Sequence, residues 1–223
     1  MLNYANDNHL KSNPVAWHAN LIQDINDLYL AKDCTKQVAI DIGASYGWMS
    51  VPMSSVFKHV YSFEIIPTIR DCLKLNTASL SNVHVMDSGL SSISGSVPFK
   101  VLPNSGVSRV CHVSDSNSVL QVKRLDDFQF DHVDLIKIDV EDHEMDVLIG
   151  AKDTLTNNTP LLVVECNYVE RLRHHLIKRQ EIISYLLSLK YSLIDFRGHD
   201  LIFTKKNTNI QSYLDKFKTT KSR

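Results

Sequence analysis

Five short apolar runs in this sequence each lead into a carboxylate. Residues 38–40 run into Asp41, 60–63 into Glu64, 83–86 into Asp87, 135–138 into Asp139 and 161–164 into Glu165. One acid in such a place is ordinary, because turns favour aspartate. Five acids converging on one crevice repel one another and are costly to desolvate. The arrangement makes sense if a ligand brings positive charge and hydroxyl donors. S-Adenosylmethionine (AdoMet) offers a sulfonium, an ammonium, a ribose diol and an adenine amine.

The segment after the first run narrows the chemistry. Asp41-Ile42-Gly43-Ala44-Ser45-Tyr46-Gly47 places two glycines four residues apart. Gly43 suits a turn that other residues resist, and Gly47 lets a helix start close to a ligand. The dinucleotide fingerprint G-x-G-x-x-G is absent, and a pyrophosphate would sit poorly beside Asp41, so NAD is the weaker reading. Glu64, after the second run, stands where an acid can chelate a ribose diol.

The elements that must hold these residues follow from periodicity. The five runs are short, continuous and rich in β-branched residues, as strands buried on both faces should be. The stretches 48–58, 67–80 and 143–156 have helical spacing. This alternation predicts a parallel sheet covered by helices, with ligands at the carboxyl ends of its strands. Two parts break the alternation. Residues 96–124 read as short strands separated by Asn104-Ser105-Gly106 and Ser114-Asp115-Ser116-Asn117, a β-rich insertion. Residues 191–206 read as a hairpin turning at Arg197-Gly198-His199, closing one edge of the sheet. Before the sheet, 15–31 has helical spacing after Pro14. The expected organisation is a helical segment over 1–35, a catalytic domain over 36–206 and a flexible basic tail over 207–223.

Composition excludes several classes. A net charge of −1 gives no reason to expect a nucleic-acid partner. Cys34, Cys72, Cys111 and Cys166 stand far apart, which argues against a zinc ribbon, a redox motif or a disulfide framework. The sequence MLNYANDNHLKSNP lacks an apolar stretch for a signal peptide, and no apolar run is long enough to span a bilayer. A cytoplasmic protein is expected.

Residues 38–165 resemble the FkbM-type methyltransferases, class I AdoMet enzymes that mostly methylate hydroxyls of sugars, glycans and polyketides. VAIDIGASYGWMS is similar to that family's first motif, and FEIIP to its acidic second. NVHVMDSGLSSISGSVPF resembles the segment after its third strand, and VKRLDDF the run before its fourth. DLIKIDVEDHEMDVLIGA, followed by PLLVVE, is the strongest match. The resemblance implies a Rossmann-like α/β fold, AdoMet as cofactor and S-adenosylhomocysteine as product. It implies that Asp41, Gly43, Ala44, Ser45 and Gly47 cradle the methionine end. Glu64, with Ile65 beside it, would hold the ribose, and Asp87 and Ser88 would lie beside the adenine. Asp139 and Glu141 would face the methyl-transfer site. Three residues depart from the family pattern: Ser45 replaces a usual Asn, Ile65 a usual Pro and Asp142 a usual Gly.

An alcohol becomes a good nucleophile only as its proton leaves, so a nearby acceptor is needed. Asp139 is the first candidate, as base or acceptor-orienting group, and His143 the second. The acids could instead hold a hard divalent cation, although nothing in the sequence supplies its remaining ligands, and no metal is expected. Asp142 and Glu144 suit the capping of a helix start. Glu165 either orients the acceptor or is a buried acid paired across the sheet. Tyr46, Phe99 and Tyr168 could wall an acceptor pocket. Trp17 and His18 read as packing and rim residues, and 170–175 as a solvated helix face. Two rival functions remain: a module that binds AdoMet without turning it over, and a nucleotide-dependent oxidoreductase.

Overall fold

The computed structural model describes residues 14–29, 34–102, 108–166 and 173–205. The expected tail, the start of the N-terminal segment, Tyr168 and residues 170–172 of the 170–175 run lie outside these residues. The first three apolar runs form β1 (Val38–Ile42), β2 (His59–Phe63) and β3 (Val83–Met86). The insertion contributes β4 (Gly89–Leu90), β5 (Gly95–Lys100), β6 (Arg109–Val110) and β7 (Ser118–Lys123). The remaining runs form β8 (Val133–Ile138) and β9 (Leu161–Glu165), and the hairpin forms β10 (Ser192–Arg197) and β11 (Asp200–Thr204).

The main sheet has the order β10-β11-β9-β8-β1-β2-β3. Pairing is parallel between β1 and β2, β2 and β3, β1 and β8, and β8 and β9. The hairpin is antiparallel, as expected, but β11 inserts between β9 and β10 and pairs antiparallel with both. Only β11 is therefore reversed, and β10 forms the edge. The chain leaves β1 toward β2 on one side and later returns to β8 on the other. That switch point, between the carboxyl ends of β1 and β8, is where an open α/β sheet leaves a crevice.

Helices α1 (Pro14–Asp24), α2 (Ser50–Ser54), α3 (Pro67–Asn76), α4 (Glu144–Gly150), α5 (Lys152–Asn157) and α6 (Arg173–Ser188) surround the sheet. Pro67 starts α3, where its missing N–H costs nothing. The helical stretch over 143–156 is broken at Ala151, where φ is −108° and ψ 8°. Strand alternation splits the core in two. Ile40, Ile42, Ile136, Ile138, Leu162 and Val164 pack with Val147, Leu148, Ile182 and Leu186 of α4 and α6. Ala39, Val60, Leu135 and Val163 pack on the other face with Leu21 and Ile22 of α1 and Met53 of α2.

The insertion is a second, four-stranded sheet of order β4-β7-β5-β6. It begins earlier than the sequence suggests, at Gly89. Phe99, Val110 and Leu120 of this sheet pack with Tyr46, Ile65 and Ile66. The insertion thus sits against the loops that follow β1 and β2. No described helix is long and apolar enough to cross a membrane.

Candidate functional site

The loop after β1 is clamped from three sides. Gly43 and Ala44 N–H groups both donate to the Phe63 carbonyl at 2.9 Å, and Asp139 N–H donates to the Ile42 carbonyl at 2.9 Å. Gly43 has φ +83°, and a Cβ there would lie 1.7 Å from the Asp139 carbonyl oxygen. Glycine is needed for both reasons. Ser45 is left-handed at φ 50°, a conformation that Asn tolerates better than most residues. That is a physical reason for the family's usual Asn there. Asp41 lies beneath the loop, 1% exposed. Ser50 Oγ donates to its Oδ2 at 2.5 Å, and Ser62 Oγ donates to Ser50 Oγ at 2.8 Å. Burial raises the Asp41 carboxyl to about 6 against the opposing pull of Ser50 and Lys137.

Glu64 ties this loop to the next. Its Oε2 accepts from Ser45 N–H at 2.9 Å and its Oε1 from Ile66 N–H at 2.8 Å. Arg70 Nη1 donates to the Glu64 carbonyl at 3.1 Å. Burial pushes the carboxyl up to about 7, although those two N–H groups and Arg70 pull it down. On the next strand, Asp87 is exposed and Ser88 is buried. Ser88 Oγ has no protein partner. Ile65 packs into the apolar face of the insertion.

The end of β8 carries a second group of acids. Lys137 Nζ lies 3.5 Å from Asp139 Oδ2 and 2.7 Å from Asp200 Oδ1, with both Lys137 and Asp200 buried. Asp139 keeps 34% of its side chain exposed, with Glu165 among the groups that act on its charge. Burial would raise Asp139, but Lys137, Glu165 and His18 hold it below the ordinary range. Burial and the adjacent Asp139 push Glu165 up. Glu141, half-buried, rises to about 8 through burial and the charges of Asp139, Glu144 and Asp142, with Arg109 of the insertion opposing. Among the described residues, no three metal-ligating side chains converge.

Two further expected residues are engaged elsewhere. Asp142 sits at φ 74°, and Lys178 of α6 contacts its Oδ1 and its carbonyl, each at 3.3 Å. His143 Nε2 lies 2.9 Å from Ser91 Oγ, and its Nδ1 3.5 Å from Asp146 Oδ2. Burial lowers the imidazole, and Lys178 adds to that against Asp146. Glu144 Oε1 accepts from the N–H groups of Val140 at 3.3 Å and Asp142 at 3.2 Å, holding the turn before α4.

Residues 41–193 match the methyltransferase FkbM domain. The chain belongs to the FkbM methyltransferase family. An FkbM methyltransferase structure from Methylobacillus flagellatus KT is 20% identical, with a TM-score of 0.55, over 75% of this chain and 43% of that one. This chain thus spans less than half the length of that protein. Fibrillarin from Aeropyrum pernix, solved with bound AdoMet, is 13% identical over 86% of this chain and 76% of its own, TM-score 0.53. SMU.1697c, a putative methyltransferase from Streptococcus mutans solved with S-adenosylhomocysteine, is 12% identical over 83% and 94%, TM-score 0.51. At these identities the structures establish the fold, a class I methyltransferase architecture. A search among curated proteins returned no match.

Within this FkbM domain, Asp139, Glu141 and Glu165 gather at one sheet edge with the Gly43–Gly47 loop. Lys137, Asp200 and Ser50 belong to the same network and were not anticipated. A lysine inside the fourth apolar run was the available signal. Asp200 follows the hairpin turn, and nothing local in the sequence ties it to Lys137.

Proposed function

We propose that the chain transfers a methyl group from AdoMet to a hydroxyl of a sugar, glycan or other small molecule. Glu64 carries the cofactor half of this reading. A carboxylate has about four acceptor sites, and the backbone uses two of them, one on each oxygen. The remaining two match the two donors of a ribose diol. The orphaned, buried Ser88 Oγ fits a polar ring edge, with Asp87 beside it. The proton affinity of Asp41, Glu64 and Glu141, raised by burial, fits a ligand that brings positive charge.

AdoMet supplies an electrophilic methyl group, whose C–S bond breaks as the new O–C bond forms. The chain must hold Gly43, Ala44, Ser45 and Gly47 around the methionine end and pack Ile65 near the ribose. Asp139, ionised beside Lys137, is suited to accept a hydrogen bond from the acceptor hydroxyl and aim its oxygen. Glu141 has a proton affinity better matched to neutral pH and is suited to take the leaving proton. His143 is the reserve base, since Ser91 and Asp146 already occupy its ring nitrogens. The net charge of −1 supports an acceptor other than nucleic acid.

Incubation of the protein with labelled AdoMet and fractionated hydroxylated extracts tests the reading. Label should enter a hydroxyl compound and S-adenosylhomocysteine should accumulate, with neither seen for Gly43→Arg. AdoMet binding without product across such fractions would favour a sensor. NAD binding without AdoMet binding would favour an oxidoreductase.

A further inference from the structure

Two consecutive residues between β8 and α4 are left-handed, Glu141 at φ 51° and Asp142 at φ 74°. Aspartate tolerates that region better than glutamate does, so Glu141 carries the greater strain. A strained backbone of this kind persists only where its surroundings over-determine it.

The turn is pinned at both ends. Asp139 N–H donates to the Ile42 carbonyl of β1 at 2.9 Å. Lys178 of α6 donates to the Asp142 carbonyl at 3.3 Å. Between these anchors, two N–H groups aim at one oxygen. Val140 N–H lies 3.3 Å and Asp142 N–H 3.2 Å from Glu144 Oε1. Backbone N–H groups that converge in this way form a nest, a concavity that normally takes an anion. Here the chain fills the nest from within.

By sequence, Glu144 suits the capping of its own helix. Its buried carboxyl turns back instead, and the start of α4 at His143 has no side-chain cap. The two peptides it engages flank Glu141. Either ionisation state of Glu144 serves, because a neutral carboxyl still accepts through its carbonyl oxygen. Among the described residues, the groups acting on the Glu141 carboxyl do so through charge rather than hydrogen bonds. The backbone beneath Glu141 therefore sets where its carboxyl stands.

We propose that Glu144 is a positioning residue, which fills the nest under Glu141, holds that turn left-handed and so fixes the Glu141 carboxyl at the methyl-transfer site. The catalytic consequence rests on the reading of Glu141 as the proton acceptor. The geometry of the turn does not.

Amide hydrogen exchange of the ligand-free chain, followed by NMR, tests the geometry. Val140 and Asp142 should be protected in the wild type and in Glu144→Gln, whose amide oxygen can accept both bonds. They should exchange at least about tenfold faster in Glu144→Ala and in Glu144→Asp, which is one methylene too short to reach. Turnover is read with labelled AdoMet and a hydroxylated extract fraction that the wild type methylates. Glu144→Ala and Glu144→Asp should lower it by about 10²-fold, with AdoMet affinity within about threefold of wild type. Glu144→Gln should restore most of the rate. If Glu144→Ala does not fold, the contrast between Glu144→Asp and Glu144→Gln still decides. Unchanged exchange in the shortened variants, a Glu144→Gln as slow as Glu144→Ala, or AdoMet affinity that falls in step with turnover would overturn the proposal. Normal turnover by Glu141→Gln alongside lost protection in Glu144→Ala would instead overturn the proton-acceptor reading, so the two failures are distinguishable.

Discussion

The backbone N–H of Ser45 donates to Glu64 Oε2 at 2.9 Å, so the acid after β2 is a strut for the loop after β1. The same carboxylate is the proposed ribose acceptor, and structure and binding are coupled through it. Glu64→Ala should weaken AdoMet by about 1.5–3 kcal/mol, the range for losing hydrogen bonds to a charged group. Isothermal calorimetry measures it. Unchanged affinity in a folded variant would remove Glu64 from the cofactor site.

The proton held by Glu64 predicts a pH dependence. Its folded value, about 7, lies above its ordinary 4.5, so the folded chain binds this proton more tightly than the unfolded one. The contribution to ligand-free stability is full below the ordinary value and is lost as pH rises through about 7. Glu144, also raised to about 7, acts in the same direction. A ribose diol needs the ionised form, so AdoMet affinity should climb with pH, by up to about tenfold per unit below neutrality, then level off. Melting temperatures and calorimetry in buffers of different ionisation enthalpy would reveal it. Binding that releases no proton near pH 6 would contradict this assignment.

Gly43→Ala should be severe for a small change. The left-handed conformation costs an alanine about 1–2 kcal/mol, and overlap with the Asp139 carbonyl adds about 1–3 kcal/mol. Denaturant unfolding should show the loss, and AdoMet binding should fall with it. A loss below about 1 kcal/mol would mean that the loop moves away from β8 freely.

The parallel strands and the loop after β1 were legible because each depends on local signals. An apolar run, an acid and two glycines sit close together in sequence and together in space. The charged layer beneath Asp139 was less legible, because Lys137 and Asp200 are 63 residues apart. They meet only because β11 inserts beside β9, and strand order is set by the whole sheet rather than by its members. Helix ends were similarly elusive. Just before the break at Ala151, Gly150 packs so closely on the Ser91 backbone that a Cβ would lie 2.0 Å from the carbonyl oxygen, a contact 59 positions away that the local pattern does not show.

Asp142→Gly tests the sensor alternative. The substitution relieves a left-handed aspartate, by about 1 kcal/mol, and forfeits a half-exposed ion pair with Lys178 worth about 0–1 kcal/mol. Stability should therefore change little. Because Lys178 already engages the Asp142 carboxylate, AdoMet affinity and turnover should also stay near wild type. A silent wild-type chain that gains methylation activity as Asp142→Gly would show that this aspartate disables catalysis.

The chemical step divides between two acids. Asp139→Asn keeps the shape and removes the charge that aims the acceptor hydroxyl, and it should lower turnover by about 10²-fold, the cost of a misplaced reactant. Glu141→Gln should cost less in acceptor binding but should abolish the pH dependence of turnover near pH 8, where Glu141 is held by burial and its acidic neighbours. AdoMet affinity should change little in either variant, because Glu64 and the Gly43–Gly47 loop anchor other parts of the cofactor. EDTA should leave the wild-type rate intact, since Asp139 is already paired with Lys137. Loss of activity with EDTA, restored by magnesium or manganese, would instead make the acids metal ligands. Normal turnover by both Asp139→Asn and Glu141→Gln would leave His143→Ala as the decisive variant, and loss of activity there would move the proton acceptor to the imidazole beside Ser91.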